Sequence, residues 1–460
     1  MRLCKKPIAI ILFAIMLSLL STCSNEMPEP FDLVITNVNL IDGTGSPLQS
    51  EVNVYIKDGR IQAINKNNLQ QTANLIDGSG KYLMPGLFDC HVHTTSFNEA
   101  FPKFMHYGVT AIFITGGSTC SDEYYANMRE IGSQDSIPAP RVFHTSQHFT
   151  MEGRHPVKTY ASSNWIKDET VFFLTDTLQI KQIVRKVAQQ PIQGIKLTIE
   201  DGPAPPFVER IPQEFVNAVV REANKFDLPV FAHSSDNEEF LMAIRGGVKN
   251  HVHFVGIDID WDNPAHLSAM QTVKERSGSI ITTLMIDKSF IYPLHPEWLE
   301  IPAFNVVYPL NDLRTMVNPG TIRFAKMMAE NIRREFGLDT LTLKGLTSPQ
   351  TEDIQRALDM EVNMVLGTDT GNRFIFPGYS LHEEMQLLEI GGMKPLDILR
   401  MGTLNAARML NVDDSLGTLR PGKLADMILL NENPLESIKN TLEINTVFKN
   451  GIIQSRLNSN

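Results

Sequence analysis

The sequence predicts an α/β chain: a parallel, TIM-like (β/α)8 barrel that carries a small β-sandwich built from both chain ends. Three observations predict it. Short strand-like runs alternate with helix-like runs through the middle of the chain. Two-residue alternation of apolar and polar side chains dominates both ends. Imidazoles and a carboxylate recur where the central strand-like runs finish. Strand–helix alternation on this scale fits a parallel sheet covered by helices. A length of 460 residues suits a large barrel with an appendage. The formal net charge of −11 argues against nucleic acid or an anionic membrane as partner through a basic face.

The first residues stand apart from the fold. Arg2, Lys5 and Lys6 form a positive start, and Pro7 to Leu20 is an almost unbroken apolar run. That run is shorter than a membrane-spanning helix needs, and Ser21-Thr22-Cys23 follows it. Leu20-Ser21-Thr22-Cys23 resembles the bacterial lipoprotein processing site, which implies acylation of Cys23. The expectation is a signal peptide over 1–22 and a tether over 23–30. It places the protein in the cell envelope, lipid-anchored at the periplasmic face of the outer membrane or at the cell surface. A plain secretory signal or an uncleaved anchor is the alternative. Without Cys4 and Cys23, only Cys90 and Cys120 remain, too few for a disulfide framework.

Residues 31–84 and 412–456 form the expected composite sandwich. Val52, Val54 and Ile56 alternate with polar neighbours, Asp58-Gly59 turns, and Ile61-Gln62-Ala63 returns. This is a hairpin with a primed-turn signal, and Val447 to Ile453 repeats it around Asn450-Gly451. Neither end buries both faces of its own sheet, so the two are expected to pair.

The barrel is expected over 85–411. Gly108–Ile114, Gln193–Ile199, Leu228–His233, Lys249–Phe254, Ser279–Leu284 and Met364–Asp369 read as strands. Pro212–Phe226, Asn237–Arg245 and Pro395–Leu410 read as helices, the last opening on a proline that a first turn tolerates. Residues 287–347, punctuated by Pro293, Pro296, Pro302, Pro309 and Pro319, read as a loop-rich insertion over the barrel mouth, a candidate lid.

The most informative run is Asp89-Cys90-His91-Val92-His93. Residues two apart share one face of a strand, so His91 and His93 can both donate to one metal ion. Phe88, Cys90 and Val92 then form the opposite, apolar face, with Cys90 a packed thiol. In Gln193 to Ile199, Lys196 shares a face with Gly194 and Thr198, opposite Ile195, Leu197 and Ile199. A buried ammonium must find a carboxylate or lose its charge, and a neutral amine can capture carbon dioxide as a carbamate. His233 ends one strand; His251 and His253 are two same-face candidates at the end of another. Asp369 ends a third, followed by a glycine turn.

Together these motifs resemble the amidohydrolase superfamily, and most of all its branch of imidazolonepropionase-like enzymes and metal-dependent Xaa-Pro dipeptidases. The matching segments are Pro85 to His93, Gly194 to Leu197, His233, Gly247 to His253, Gly367 to Asp369, and Leu416 to Asp426. The resemblance selects His253 over His251. It implies His91, His93 and Asp369 around one divalent metal ion, and His233 and His253 around a second. Carbamylated Lys196 would bridge the two. His155 and His382 match further motifs of this branch and are expected as substrate contacts. His251-Val252 replaces the more usual Ile-Glu pair.

Ligation by N and O suits zinc. A water shared by two cations would become a hydroxide nucleophile, with Asp369 as catalytic proton shuttle to the leaving nitrogen. The expected function is hydrolysis of an amide C–N bond in a small molecule, a dipeptide or a cyclic amide. The alternatives are a mononuclear imidazolonepropionase-like ring hydrolase and a non-catalytic, lipid-anchored binding protein. Homo-oligomers, frequent among relatives, are implied by analogy.

Overall fold

In the sheet built from the chain ends, both tight turns have the left-handed backbone that their sequences require. Asp58 and Gly59 (φ 51° and 71°) and Asn450 and Gly451 (φ 50° and 72°) each connect adjacent antiparallel strands. Two positive φ values in a two-residue loop match the right-handed twist of the flanking strands. The computed structural model describes residues 30–67, 74–93, 96–203, 207–254 and 259–457. The expected signal peptide, Cys23 and the tether up to residue 29 lie outside the described residues. No described helix is long and apolar enough to cross a membrane.

The N-terminal strands are β1 (Leu33–Leu40), β2 (Gln49–Lys57), β3 (Arg60–Asn65), β4 (Leu75–Asp77) and β5 (Tyr82–Pro85). The barrel region contributes β6 (Leu87–Val92), β7 (Val109–Ile114), β8 (Arg141–His144), β9 (His148–Thr150), β10 (Val171–Phe173), β11 (Ile195–Thr198), β12 (Val230–His233), β13 (Asn250–Val252), β14 (Ser279–Ile281) and β15 (Asn363–Val365). The C-terminal strands are β16 (Met427–Leu430), β17 (Ile444–Lys449) and β18 (Ile452–Ile453).

The two chain ends pair through β5 and β16, with Met84 opposite Ile428. The strands of both ends are hydrogen-bonded into one eight-stranded sheet, in the order β18-β17-β16-β5-β1-β2-β3 with β4 also on β1. Register shifts in β1, β2 and β16 bend it, as bulges do. Its far edge comes back to the start of β16, where Arg60 bridges Leu424. The curled sheet gathers Ile35, Val54, Ile61, Met427 and Phe448 into one apolar core.

The barrel strands run parallel in two hydrogen-bonded sets, β6-β7-β8 and β9-β11-β12-β13-β14-β15, with β10 added to β9. Two further links close the ring. Ser146 N donates to Gly194 O (2.9 Å), and Asp369 N donates to His91 O (2.9 Å). The third barrel strand, β8 continuing into β9, escapes the sequence pattern because its run Arg141–Thr150 is interrupted by Thr145, Ser146 and Gln147.

Phe88 and Cys90 pack with Phe113, Phe231, Val252, Ile281 and Val365, and the rings of Phe113 and Phe231 lie 4.9 Å apart. Side chains from opposite strands can meet only across the lumen, so this cluster fills the barrel. Val92 belongs instead to the large core that also holds Ile112 and its register partner Ile114. Phe88, Cys90 and Val92 therefore do not share a face: a register shift between Asp89 and Val92 breaks the alternation.

Residues 287–347 are largely helical rather than loop-rich. Helices span Met285–Ile291, Pro302–Asn305, Leu310–Met316 and Pro319–Phe336, and Leu343–Asp359 begins within the segment. Pro302 and Pro319 stand in first turns, where the missing N–H costs nothing. Asn318 completes a capping box with Thr321 ahead of the longest of them.

Candidate metal centre

His91 and His93 reach the same point from the end of β6. Their Nε2 atoms are 3.0 Å apart, and Asp369 Oδ1 lies 3.3 Å and 3.1 Å from them. The Nδ1 of His93 is 2.7 Å from the Gly116 carbonyl, which can only accept, so the proton sits on Nδ1 and the Nε2 lone pair faces its neighbours. Burial holds the His91 imidazole well below its usual pKa. Asp369 Oδ1, though buried, accepts no hydrogen bond among the described residues. Lone pairs converging on an unsatisfied carboxylate oxygen are a donor set that suits a divalent cation.

The backbone aims Asp369 through an uncommon conformation, φ 64°, four residues beyond the end of β15. Gly371 supports it at φ 115°, where a Cβ would stand 1.9 Å from the His93 carbonyl oxygen. Beneath, the carboxylate of Asp89 accepts from Thr368 N (3.1 Å) and Thr368 Oγ1 (2.7 Å), tying the first barrel strand to the last.

The second group meets the first through the His91 and His253 rings, whose centroids are 4.6 Å apart. His253 Nε2 is 3.1 Å from His233 Nδ1, which is 3.5 Å from Lys196 Nζ. The faces of β11 are as its sequence suggests. Ile195, Leu197 and Ile199 pack on the helices Thr177–Val187 and Gln213–Ala223, and Lys196 is wholly buried on the other side. Burial brings the Lys196 ammonium down to about 7, against the pull of Asp369 and Glu200. No ion pair among the described residues includes it.

His251 and His253 part company. β13 ends at Val252, and His253 takes φ 70°, so the pleat no longer puts both on one face. His251 stacks edge-on against Phe240 at 4.8 Å, and burial takes its pKa down to about 3. His253 turns to the site, with Nδ1 2.9 Å from Thr283 Oγ1.

The sequence reading missed Glu200. It lies two residues past β11, buried, and His233 Nε2 hydrogen-bonds its Oε2. His155 Nε2 is 4.0 Å from the same oxygen, and His155, Glu200 and His233 form a second group with metal-ligand geometry. Its only signal was position, an acid at the carboxyl end of a barrel strand. His148, also missed, stands over His93 with ring centroids 6.3 Å apart.

His382 is not at the site. It is fully buried, with Nε2 2.8 Å from the Tyr107 carbonyl and Nδ1 2.7 Å from Thr441 Oγ1. These bonds join helix Tyr379–Ile390 to the segments beside it, which replaces the expected substrate contact with a structural one. His155 does line the cavity over the centre, a space of about 1260 Å³ that also includes Glu200, His233, His253 and Asp369.

A model of the amidohydrolase family matches residues 82–453. The chain is 24% identical over 446 residues to an ochratoxinase of Aspergillus niger, covering 87% of this chain and 81% of that one. It is 22% identical over 428 residues to a 5′-deoxyadenosine deaminase of Methanosarcina acetivorans, covering 87% and 84%. The crystal structure of a Xaa-Pro dipeptidase with methionine in its active site superposes with a TM-score of 0.68 at 22% identity, over 92% of this chain and 99% of that one. That last likeness is one of fold.

Proposed function

This chain belongs to the amidohydrolase family and is a hydrolase acting on carbon–nitrogen bonds, and on that premise we propose that it cleaves the amide bond of a dipeptide or cyclic amide with two divalent cations, zinc fitting the donors best. His91, His93 and Asp369 would hold one cation, and His233 and His253 the other, with carboxylated Lys196 between them. One observation carries the reading: these six side chains, from the ends of five strands, form an unbroken chain of contacts at one end of the barrel. Cations bound there would supply Lewis acidity to the amide carbonyl and lower the pKa of water.

The protein's own groups do the rest. Asp369 takes the proton of the attacking water and returns it to the leaving nitrogen. Lys196 is wholly buried, and no carboxylate among the described residues pairs with it, so its amine is free to add to carbon dioxide, forming an N–C bond and releasing one proton. The proposal extends to the chain start: residues 1–22 as signal, Cys23 as lipid attachment and a body held in the envelope, supported by the sequence of that segment.

The test is metal content by plasma mass spectrometry, with and without bicarbonate, alongside hydrolysis of N-acyl, prolyl and cyclic amides. Two ions per chain and bicarbonate-dependent turnover are expected. One ion with full activity in Lys196→Met would sink the bridged pair. No amide cleaved by fully loaded protein would sink the hydrolase reading.

A further inference from the structure

The cavity over the centre has a wall that the proposed chemistry does not use. Around the barrel, the loops after β11 and β12 bring Glu200, Asp201 and Asp236 to it, together with Arg210. Arg210 is already engaged by Asp201, Asp236 and Glu239. This side is polar. Past His253, the chain after β14 lines the cavity with Ile286 and Phe290, one turn apart on helix Met285–Ile291. Helix Pro319–Phe336 adds Phe324, Met328 and Ile332. Spacing by four puts these three on one stripe. Exposed Arg323, Lys326, Glu330 and Arg333 occupy the remaining surface of that helix.

The Phe324 end of the stripe faces open space, while Met328 and Ile332 are buried, Ile332 in a small core with Ile291, Leu338 and Leu346. Phe290 and Phe324 meet edge to face at 6.2 Å, yet Phe324 stays 46% exposed and Phe290 and Ile286 are only half-buried. Pockets for drug-sized ligands run to roughly 1,000 Å³, and this cavity is about 1260 Å³. A dipeptide of small residues would leave the apolar wall facing water, whereas an apolar group covering it removes apolar surface from water.

We propose that the substrate is an amide carrying a bulky apolar group, an aromatic ring or a long alkyl chain, on one side of the scissile bond. The wall formed by Phe290 and the stripe of helix Pro319–Phe336 receives that group. The proposal rests on the hydrolase reading above and specifies its substrate class.

The experiment uses two amide series that keep glycine constant. In one, N-acyl glycines run from acetyl to decanoyl with 3-phenylpropanoyl; in the other, glycine alkylamides and glycine anilide vary the amine side. In one series kcat/KM should rise about fourfold per added methylene. Phe324→Ala should lower the decanoyl-to-acetyl (or decyl-to-methyl) ratio at least tenfold, and Phe324→Trp should preserve it. Calorimetric binding of both series to Asp369→Asn reads the wall without turnover. Affinity that climbs with chain length while the metal-loaded wild type cleaves no amide would keep the wall as an apolar-group site and sink the hydrolase reading. Flat affinity and flat kcat/KM in both series, or an unchanged ratio in Phe324→Ala, would overturn it.

Discussion

His233 gives its two ring nitrogens to different partners: Nε2 hydrogen-bonds Glu200, and Nδ1 lies 3.1 Å from His253 Nε2. A carboxylate on Nε2 keeps the proton there and the lone pair on Nδ1, on the side of Lys196 and His253. Carboxylates behind metal-binding imidazoles fix tautomer and ring orientation in this way.

Removing that support should loosen metal binding before it alters the fold. Glu200→Gln, which can still accept one hydrogen bond, is expected to weaken metal affinity about tenfold, and Glu200→Ala about a hundredfold. Competition against a chromophoric chelator measures both. Unchanged affinity in the alanine variant would show that Glu200 does not position His233.

Asp369→Asn preserves size and one acceptor oxygen but cannot take a proton. Its kcat should fall by about 10² to 10⁴, the usual range for lost acid–base catalysis, with most of the bound metal retained. Full activity in this variant would assign the proton transfer to another group.

His382 offers a pH test of the structural role found for it. Burial lowers its pKa to about 4, from the ordinary 6.5. Below pH 6.5 the unfolded chain takes up a proton that the folded imidazole refuses. Its contribution to stability is therefore complete above pH 6.5 and is lost as pH falls toward 4. His382→Gln should cost about 1–3 kcal/mol at pH 7.5 through its buried hydrogen bonds. The Tm gap between wild type and variant should narrow between pH 6.5 and 4, with kcat/KM within about threefold at pH 7.5. A large loss of kcat/KM at full folding would return His382 to the substrate.

Much of the centre was legible because strands have a period of two and metals need particular donors. His91 and His93 two apart, Lys196 opposite an apolar face and His233 at a strand end are all one-dimensional signals. The choice between His251 and His253 was not, because it depends on φ 70° at His253, where the alternation stops. Glu200 was hidden for another reason: its partner His233 is 33 residues away. The prolines of the insertion misled because the same residue that breaks a helix interior also starts a helix.

Local periodicity and side-chain chemistry by themselves determined the barrel, the pairing of the chain ends and the kinds of atom that gather at the strand ends. Tertiary structure alone decided that the end strands curl into one sheet, that His382 fastens helices while Glu200 braces an imidazole, and that an apolar stripe overhangs the cavity. The division has a physical cause. Repeat patterns follow from backbone geometry over a few residues, whereas burial, hydrogen-bond partners and cavity walls depend on segments that meet only after the chain has closed.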